Sequence, residues 1–227
     1  MLPDADALAA AAAALFAGLA RRAVARRGRF AVALAGGGTP LGCYRRLAEP
    51  PHRDGLPWAG VHVFWSDERC VAPDDPRSNE RAAREALIGR VTVPAAQVHP
   101  IRCAGDPEGA ATAYEQVLAA CFAGGPPRLD LALLGLGADG HTASLFPGSP
   151  ALDVRDRFVI ATGDDAHPQP RLTFTFPAIE RSPLVVVTVS GAEKRDAMTR
   201  IAADEDLPGA RLRAPRLLWL VDEAAAP

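Results

Sequence analysis

The alternation of short apolar segments with longer segments of mixed polarity constrains the fold more than any other feature of the sequence. The apolar segments have the length of strands, and the segments between them have the length and capping residues of helices. Strands are predicted at residues 30–35, 61–65, 98–101, 129–134, 158–162, 172–174, 184–189 and 217–221, and helices at 5–27, 41–49, 80–88, 106–122 and 191–203. Continuously apolar strands are typical of sheets buried on both faces. The pattern therefore predicts an α/β fold with a mostly parallel sheet covered by helices on both faces.

The chain offers no clear place to divide it into two domains. It has 227 residues, with no internal repeat and no low-complexity linker, and one α/β domain can accommodate this length. The Gly- and Pro-rich stretch 124–127 is too short for a flexible tether and is interpreted as a turn. We expect a single domain over residues 1–227.

Charge, cysteine and histidine content exclude several classes of protein. The net charge is −2 and no basic run occurs, which argues against a nucleic-acid partner. No two histidines have metal-ligand spacing, so we expect no metal site and no cofactor. The cysteines show no CxxC or zinc spacing, and we interpret them as free thiols of a cytoplasmic protein. These cysteines are Cys43, Cys70, Cys103 and Cys121.

The alanine-rich N-terminal stretch, residues 8–20, is similar in composition to a signal peptide. However, Asp4 and Asp6 stand where a signal peptide has basic residues, and Arg21 and Arg22 follow the apolar stretch. We therefore predict an amphipathic first helix. We also expect no segment to approach the roughly 18 apolar residues of a membrane span, and no membrane partner.

A glycine-rich turn follows the predicted strand 129–134 and carries the most informative polar residues of the chain. Residues 134–147 read LGLGADGHTASLFP, so Asp139 and His141 lie two residues apart at the turn. Ligands of open α/β sheets bind at the carboxyl ends of strands. A histidine at that position can act as a base near neutral pH.

Two other predicted strands also end in segments suited to a ligand. The turn Ala35-Gly-Gly-Gly-Thr-Pro40 precedes a helix, and its backbone N–H groups and the helix dipole suit a phosphate. A tight turn without a ligand fits this segment equally well. Residues Ser66-Asp-Glu-Arg69 place three charges after the strand 61–65, and a solvated loop with an internal ion pair is the alternative there.

Two cations stand near the ends of other predicted elements. Arg171 precedes Leu172, and Lys194, the single lysine among 25 basic residues, lies near the start of the last helix. Each is compatible with an ordinary surface position. If both reach the sheet edge that carries the glycine turn, they could bind a phosphate dianion together with its N–H groups.

Taken together, these segments resemble the 6-phosphogluconolactonases. The resemblance rests on residues 35–40, 66–79, 135–150, 171–176 and 191–194, which follow one another in the expected order and span most of the chain. It implies a Rossmann-like three-layer fold, similar to that of glucosamine-6-phosphate deaminases. It also implies hydrolysis of 6-phospho-D-glucono-1,5-lactone, a step of the pentose phosphate pathway.

The resemblance assigns roles to individual residues. It implies that His141 is the general base and that Arg69 contacts the substrate, and we place Asp67 in the substrate site as well. The residues expected to bind the phosphate are Gly36, Gly37, Gly38, Thr39, Arg171 and Lys194. Relatives often have serines where this chain has Ala35 and Gly38, so two hydroxyl donors are lost while the backbone N–H groups remain.

These assignments suggest a mechanism without a covalent intermediate. His141 takes a proton from a water molecule that attacks the lactone carbonyl, and Asp139 orients or stabilises the imidazole. Arg69 or the N–H groups near Gly36 stabilise the oxyanion. Ser144 is disfavoured as a nucleophile because no GxSxG sequence surrounds it. We expect a sugar-phosphate lactone as the partner and a monomer or weak homo-oligomer.

Two other functions remain open at this point. An amino-sugar phosphate isomerase or deaminase on the same scaffold needs a second acid near the histidine, and residues 144–147, Ser-Leu-Phe-Pro, contain no carboxylate. Asp67 alone could still abstract a proton. A non-catalytic phosphosugar-binding module would tolerate loss of the base, whereas His141, Asp139 and Arg69 are all present.

Overall fold

The structure is a computed structural model that describes residues 1–103, 105–164 and 167–227. Its helices are α1 (Ala5–Arg27), α2 (Gly38–Leu47), α3 (His52–Gly55), α4 (Asn79–Ala86), α5 (Pro107–Cys121), α6 (Phe176–Glu180) and α7 (Arg195–Ala202). Its strands are β1 (Phe30–Leu34), β2 (Val61–Trp65), β3 (Asp67–Arg69), β4 (Val98–His99), β5 (Leu131–Gly135), β6 (Val159–Asp164), β7 (His167–Phe174), β8 (Val185–Val189) and β9 (Leu217–Val221).

The main sheet has six strands in the order β4-β2-β1-β5-β8-β9, and every pair in it is parallel. All five residues of β1 and all five of β8 are buried, as continuous apolar sequence predicts for strands covered on both faces. The predicted α/β class with a mostly parallel, helix-flanked sheet is confirmed. The parallel arrangement brings the carboxyl ends of β1, β2, β5 and β8 to one edge, where they position the candidate site.

Several helices begin at the capping residues expected from the sequence. The Ser78 hydroxyl accepts a hydrogen bond from the N–H of Arg81 at the start of α4. Asp106 accepts one from the N–H of Gly109 at the start of α5, with Pro107 in the first turn. Side-chain oxygens at these positions satisfy N–H groups that have no partner within the helix. The predicted helix 191–203 is instead a short 3₁₀ turn, Ala192–Lys194, followed by α7.

A second, antiparallel sheet of three strands, in the order β3-β7-β6, is absent from the sequence prediction. No strand is predicted over residues 66–78, but Asp67–Arg69 pair with β7. Arg171 likewise belongs to β7 of this small sheet and not to the parallel sheet. The polar sequence of β3 has no strand signature of its own, and its pairing with β7 determines its conformation.

Helix α1 corrects the expectation that no segment approaches the composition of a membrane span. An 18-residue window of this helix has a mean hydropathy of 1.5, and its length and composition suffice for a span. Its apolar side is nevertheless packed in the core, where Leu8, Ala13, Phe16 and Ala20 are at most 1% exposed. The apolar composition of α1 is therefore explained by its packing as a core helix.

The expectation of four free cysteines is wrong for two of them. Cys70, directly after β3, forms a disulfide with Cys103, and their Cα atoms are 4.9 Å apart. Cys43 and Cys121 are free. The pair cannot be recognised from the sequence because its members lie 33 positions apart, and tertiary folding alone brings them together.

Candidate active site

A cavity of about 270 Å³ lies at the carboxyl edge of the parallel sheet, where ligands bind in open α/β folds. Its walls come from the turn after β1, from β3 and β7 of the small sheet, from the turn after β5 and from the turn before α7. The residues expected from the sequence that line it are Gly36, Gly37, Gly38, Thr39, Asp67, Arg69, His141, Arg171 and Lys194. Asp139 is not on the wall and lies behind His141.

The turn after β1 presents the N-terminus of α2 to the cavity. Gly37 precedes the helix with φ of 94°, a conformation that favours glycine. Among the described residues no side chain caps this helix end. Its first residues line the cavity, which places their N–H groups and the positive end of the helix dipole there. Such an end stabilises an anionic group without a dedicated side chain.

His141 and Asp139 form a hydrogen-bonded pair in the turn after β5. The Nδ1 of His141 lies 2.6 Å from Asp139 Oδ1, and the backbone N–H of His141 also donates to this oxygen at 3.1 Å. A carboxylate can only accept hydrogen bonds, so Nδ1 carries the proton and Nε2 keeps its lone pair. The His141 side chain is 30% exposed, and this second nitrogen is the one available as a base.

The same pair holds Asp139 in its ionised form. Partial burial acts to raise the pKa of Asp139, but the hydrogen bonds from the ring and backbone of His141 outweigh it. The pKa of this carboxyl is held at about 2 as a result. Asp139 is therefore a permanent negative charge beside the imidazole near neutral pH.

Gly137 provides the space in which this pair lies. A Cβ atom built on Gly137 would be 2.0 Å from His141 Nδ1 and 2.5 Å from Asp139 Oδ1. The backbone closes the turn as well, because the N–H of Gly137 donates to the carbonyl of His141 at 2.8 Å. Any side chain at position 137 would displace the imidazole or the carboxylate.

Two arginines from neighbouring strands give the cavity its positive side. Arg69 and Arg171 face each other in the β3–β7 register. Among the residues that the structure describes, no hydrogen-bond partner reaches the buried Nε atom of either one. Burial, and then the charge of Arg69, lower the pKa of Arg171. Two adjacent guanidinium groups with unused donors are typical of a site for an anion.

Lys194 adds a third cation from the 3₁₀ turn before α7. The cavity also has two carboxylates, those of Asp67 and Glu193. Among the described wall residues, three cations stand against two carboxylates, so the wall itself is net positive, while Asp139 places a third negative charge behind His141. This balance favours an anionic ligand that also carries neutral polar groups.

Ala143 continues the cavity wall after His141, whereas Ser144 is placed where it is unsuited to be a nucleophile. The Ser144 hydroxyl is fully buried and donates to Asp67 Oδ2 at 2.8 Å. The Phe146 ring lies 4.7 Å from the His141 ring, and the Arg171 guanidinium lies over it at 5.3 Å. Phe146 thus packs against both the imidazole of His141 and the guanidinium of Arg171, which is predicted to bind the phosphate.

Sequence reasoning missed two polar residues of the cavity wall, Asn79 and Glu193. Asn79 lies 43 residues from Gly36 in the sequence, and this distance gives no hint of contact. Its amide oxygen would lie 1.9 Å from a Cβ atom at position 36. Glu193 is adjacent to Lys194 in the sequence, and this adjacency was the one available signal.

Comparison with known proteins places the chain in a family. Residues 3–219 match the model of the family described as glucosamine-6-phosphate isomerases/6-phosphogluconolactonase. A protein of Synechocystis sp. named 6-phosphogluconolactonase is 48% identical over 213 residues, which are 90% of this chain and 86% of the relative. One of Mycobacterium tuberculosis with the same name is 42% identical over 238 residues, covering 100% of this chain and 96% of the relative.

Solved structures show the same relationship in three dimensions. The crystal structure of 6-phosphogluconolactonase from Thermotoga maritima superimposes with a TM-score of 0.86 at 32% identity, over 98% of this chain and 97% of that one. A monomeric glucosamine-6-phosphate deaminase has a TM-score of 0.82 at 22% identity, over 98% of this chain and 96% of that one, and shows a shared fold. The chain belongs to the glucosamine-6-phosphate isomerase/6-phosphogluconolactonase family.

Proposed function

We propose that this chain hydrolyses 6-phospho-D-glucono-1,5-lactone to 6-phospho-D-gluconate, a reaction of the oxidative pentose phosphate pathway. The observation that carries the proposal is the His141–Asp139 pair, whose imidazole lines a cavity that is also lined by Arg69, Arg171 and Lys194. The pair supplies a base, and the cations supply a site for a phosphorylated substrate. The relatives named 6-phosphogluconolactonase support the same conclusion.

The catalytic step follows from the protonation state of the pair. His141 Nε2 accepts a proton from water as the water oxygen attacks the lactone carbonyl, and Asp139 stabilises the resulting imidazolium. Arg69 or the N–H groups of Gly36 and Gly37 stabilise the negative oxygen of the tetrahedral intermediate. The bond from the carbonyl carbon to the ring oxygen then breaks, and His141 returns its proton to that oxygen.

The phosphate site provides orientation for this step. Arg171, Lys194 and the turn Gly36–Thr39 hold the phosphate, so the lactone carbonyl is directed toward His141. Binding energy from the remote phosphate is thereby used to position the reacting atoms. Asp67 lies on the same wall, where its carboxylate can accept hydrogen bonds from sugar hydroxyls.

The proposal extends to the organisation of the protein. We infer that residues 1–227 act as one domain, as a monomer or weak homo-oligomer, with the lactone as partner and no nucleic acid or membrane. We also infer a cytoplasmic location, which the metabolic role of the reaction favours. Because Cys70 and Cys103 form a disulfide, the cysteines no longer support that location. Sedimentation of the purified chain tests the oligomeric state.

The experiment that tests the activity compares 6-phosphogluconolactone with unphosphorylated gluconolactone, after subtraction of spontaneous hydrolysis. We expect much faster turnover of the phosphorylated lactone, since only that substrate uses the cationic site. Equal turnover of both would contradict the phosphate site. Release of ammonia from glucosamine 6-phosphate, without lactone hydrolysis, would instead establish a deaminase.

A further inference from the structure

A single buried carboxylate, that of Glu68, joins the two segments that carry Arg69 and Asn79 to the cavity wall. Its Oε1 accepts hydrogen bonds from the backbone N–H of Arg69 at 2.8 Å and of Asn79 at 2.7 Å. Its Oε2 accepts from the N–H of Glu80 at 2.7 Å and from the Ser78 hydroxyl at 3.0 Å. Four donors from β3 and the start of α4 therefore converge on one side chain.

Asn79 transmits this arrangement to the glycine turn. Its side-chain nitrogen donates to the carbonyl of Asp67 at 3.0 Å. Its amide oxygen lies against Gly36 so closely that a Cβ atom there would be only 1.9 Å away. A shift of Asn79 would therefore disturb the turn whose N–H groups are proposed to bind the phosphate.

Arg69 depends on the same segment through its side chain. Its Nη1 donates to the carbonyl of Arg77, next to Ser78. The guanidinium of Arg69 and the backbone of residues 77–80 are thus linked twice, directly and through Glu68. Loosening of the segment 77–80 would release the substrate-facing end of Arg69.

The partners of Glu68 explain why the residue is an acid. A carboxylate accepts several hydrogen bonds and donates none, so it suits a site where four donors converge. Burial raises the pKa of Glu68 to about 7, although the hydrogen bonds from Asn79, Arg69 and Ser78 act to lower it. The nearby charged or titratable groups are Asp67 and Arg69 on β3, Arg171 on β7, Tyr114 on α5 and Glu80 on α4.

We propose that Glu68 is a positioning residue of the substrate site, which holds Arg69 and Asn79 in the geometry that the phosphorylated lactone requires. The proposal rests on the lactonase function proposed above. Glu68 touches neither the cavity nor the reacting atoms and acts through the two residues that do line it.

The test compares Glu68→Gln with Glu115→Gln in the 227-residue chain. Glu115 lies on α5, and its carboxylate also accepts backbone hydrogen bonds, from the N–H groups of Phe158 and Val159, but it does not line the cavity. In Glu68→Gln the amide NH₂ points a donor toward other donors. We expect binding of 6-phosphogluconate, measured by calorimetry, to weaken about 10- to 100-fold in Glu68→Gln. Glu115→Gln makes the same exchange away from the cavity and is expected to change binding less than about threefold.

A double-mutant comparison with Asn79 distinguishes a positioning role of Glu68 from a purely structural one, because only a positioning role predicts non-additive losses of affinity. In an Asn79→Ala background, Glu68→Gln should cost less affinity than in the wild-type background, because its effect passes partly through Asn79. Additive losses, normal binding by a folded Glu68→Gln, or equal weakening by Glu115→Gln would each overturn the proposal. If Glu68→Gln does not fold, Glu68→Asp, which keeps the charge but shortens the side chain, replaces it with the same outcomes.

Amide hydrogen exchange separates this proposal from the proposed function. Without ligand, the N–H groups of Arg69, Asn79 and Glu80 should exchange faster in Glu68→Gln than in wild type, and unchanged exchange would refute the positioning role. Absence of lactone turnover in the wild-type protein would refute the proposed function. The hydrogen-exchange result would still test whether Glu68 positions these segments.

Discussion

At the scale of single residues, the proposed chemistry depends on which ring nitrogen of His141 carries the proton. The Asp139 carboxylate determines this through its hydrogen bond to Nδ1. The Asp139 carboxylate accepts the Nδ1 proton of His141, so the lone pair is on the nitrogen that a general base needs. In the proposed mechanism the charge of Asp139 matters as much as its position, since it would stabilise the imidazolium formed during turnover.

Asp139→Asn should therefore reduce kcat while the chain stays folded. The amide keeps the size of the side chain but removes the charge and can favour the wrong tautomer of His141. We expect a loss of kcat of about 10- to 1,000-fold, measured on freshly prepared 6-phosphogluconolactone. Asp206→Asn, which breaks an exposed pair with Arg211, is the control, and a similar loss there would discount the role of Asp139.

Gly137→Ala tests whether the space at position 137 is needed for catalysis. The new methyl group would overlap His141 Nδ1, and a displacement of about 1 Å can cost on the order of 100-fold in rate. We expect such a loss of kcat/KM with a modest change in melting temperature. Gly18→Ala is the control, because nothing lies within 4 Å of the added atom. It should keep full activity and gain about 0.5–1 kcal/mol of stability.

At the scale of elements, Glu68 joins β3 to the start of α4. It therefore affects both the stability of the fold and the proposed substrate site. Its folded-state pKa of about 7 lies above the ordinary value of 4.5. The folded protein therefore takes up a proton on Glu68 between these values. The resulting stabilisation is fully present below about pH 4.5 and is lost as the pH rises through about 7.

This linkage predicts how stability differs between wild type and Glu68→Gln. Relative to the variant, wild type should lose free energy of unfolding as the pH rises from 5 to 8, because only wild type must ionise this buried group. Urea titrations of both proteins at the two pH values measure the difference. A difference independent of pH would show that Glu68 titrates as it does in the unfolded chain.

The parallel sheet and its helices were predictable from the sequence, and the small antiparallel sheet was not. β1 and β8 are continuously apolar and buried, so their pattern reports their environment directly. β3 consists of Asp67, Glu68 and Arg69, and its strand conformation depends on pairing with β7, about 100 residues later. A local sequence pattern does not report contacts between residues that lie so far apart in the chain.

The candidate site was predictable where its residues follow strand ends. His141 and the Gly36–Thr39 turn come directly after β5 and β1, so topology alone places them at one edge. Asn79 could not be found this way, since it lines the cavity from the first turn of α4. The contribution of Glu68 depends on hydrogen bonds to residues 78–80, which the sequence does not report.

At the scale of the whole molecule, the composition of α1 is that of a membrane span, whereas its position is that of a helix packed on the core. It is apolar enough to span a membrane, yet one of its sides packs in the core with β1 and α2. Adjacent alanines on this helix differ sharply in environment, since Ala13 is fully buried and Ala14 is exposed.

Ala13→Asp and Ala14→Asp therefore distinguish a core helix from a uniformly apolar one. A charge at position 13 has no solvent and no partner, and we expect a loss of at least about 3 kcal/mol of stability. At position 14 the loss should be about 1 kcal/mol or less, the cost in helix propensity. Thermal melts of the two variants provide the comparison, and equal losses would contradict the packing of α1.

The bond between Cys70 and Cys103 has a consequence for the connectivity of the protein. It makes residues 70–103 a closed covalent ring that contains α4 and β4. A protease that cuts the exposed stretch 72–74 would open the ring without dividing the molecule. The nicked protein should migrate as one band without reductant and as two bands with it, whereas nicked Cys103→Ser should give two bands in either case. Arg69 and Asn79, on opposite sides of the cut, would stay in one molecule for as long as the disulfide is intact.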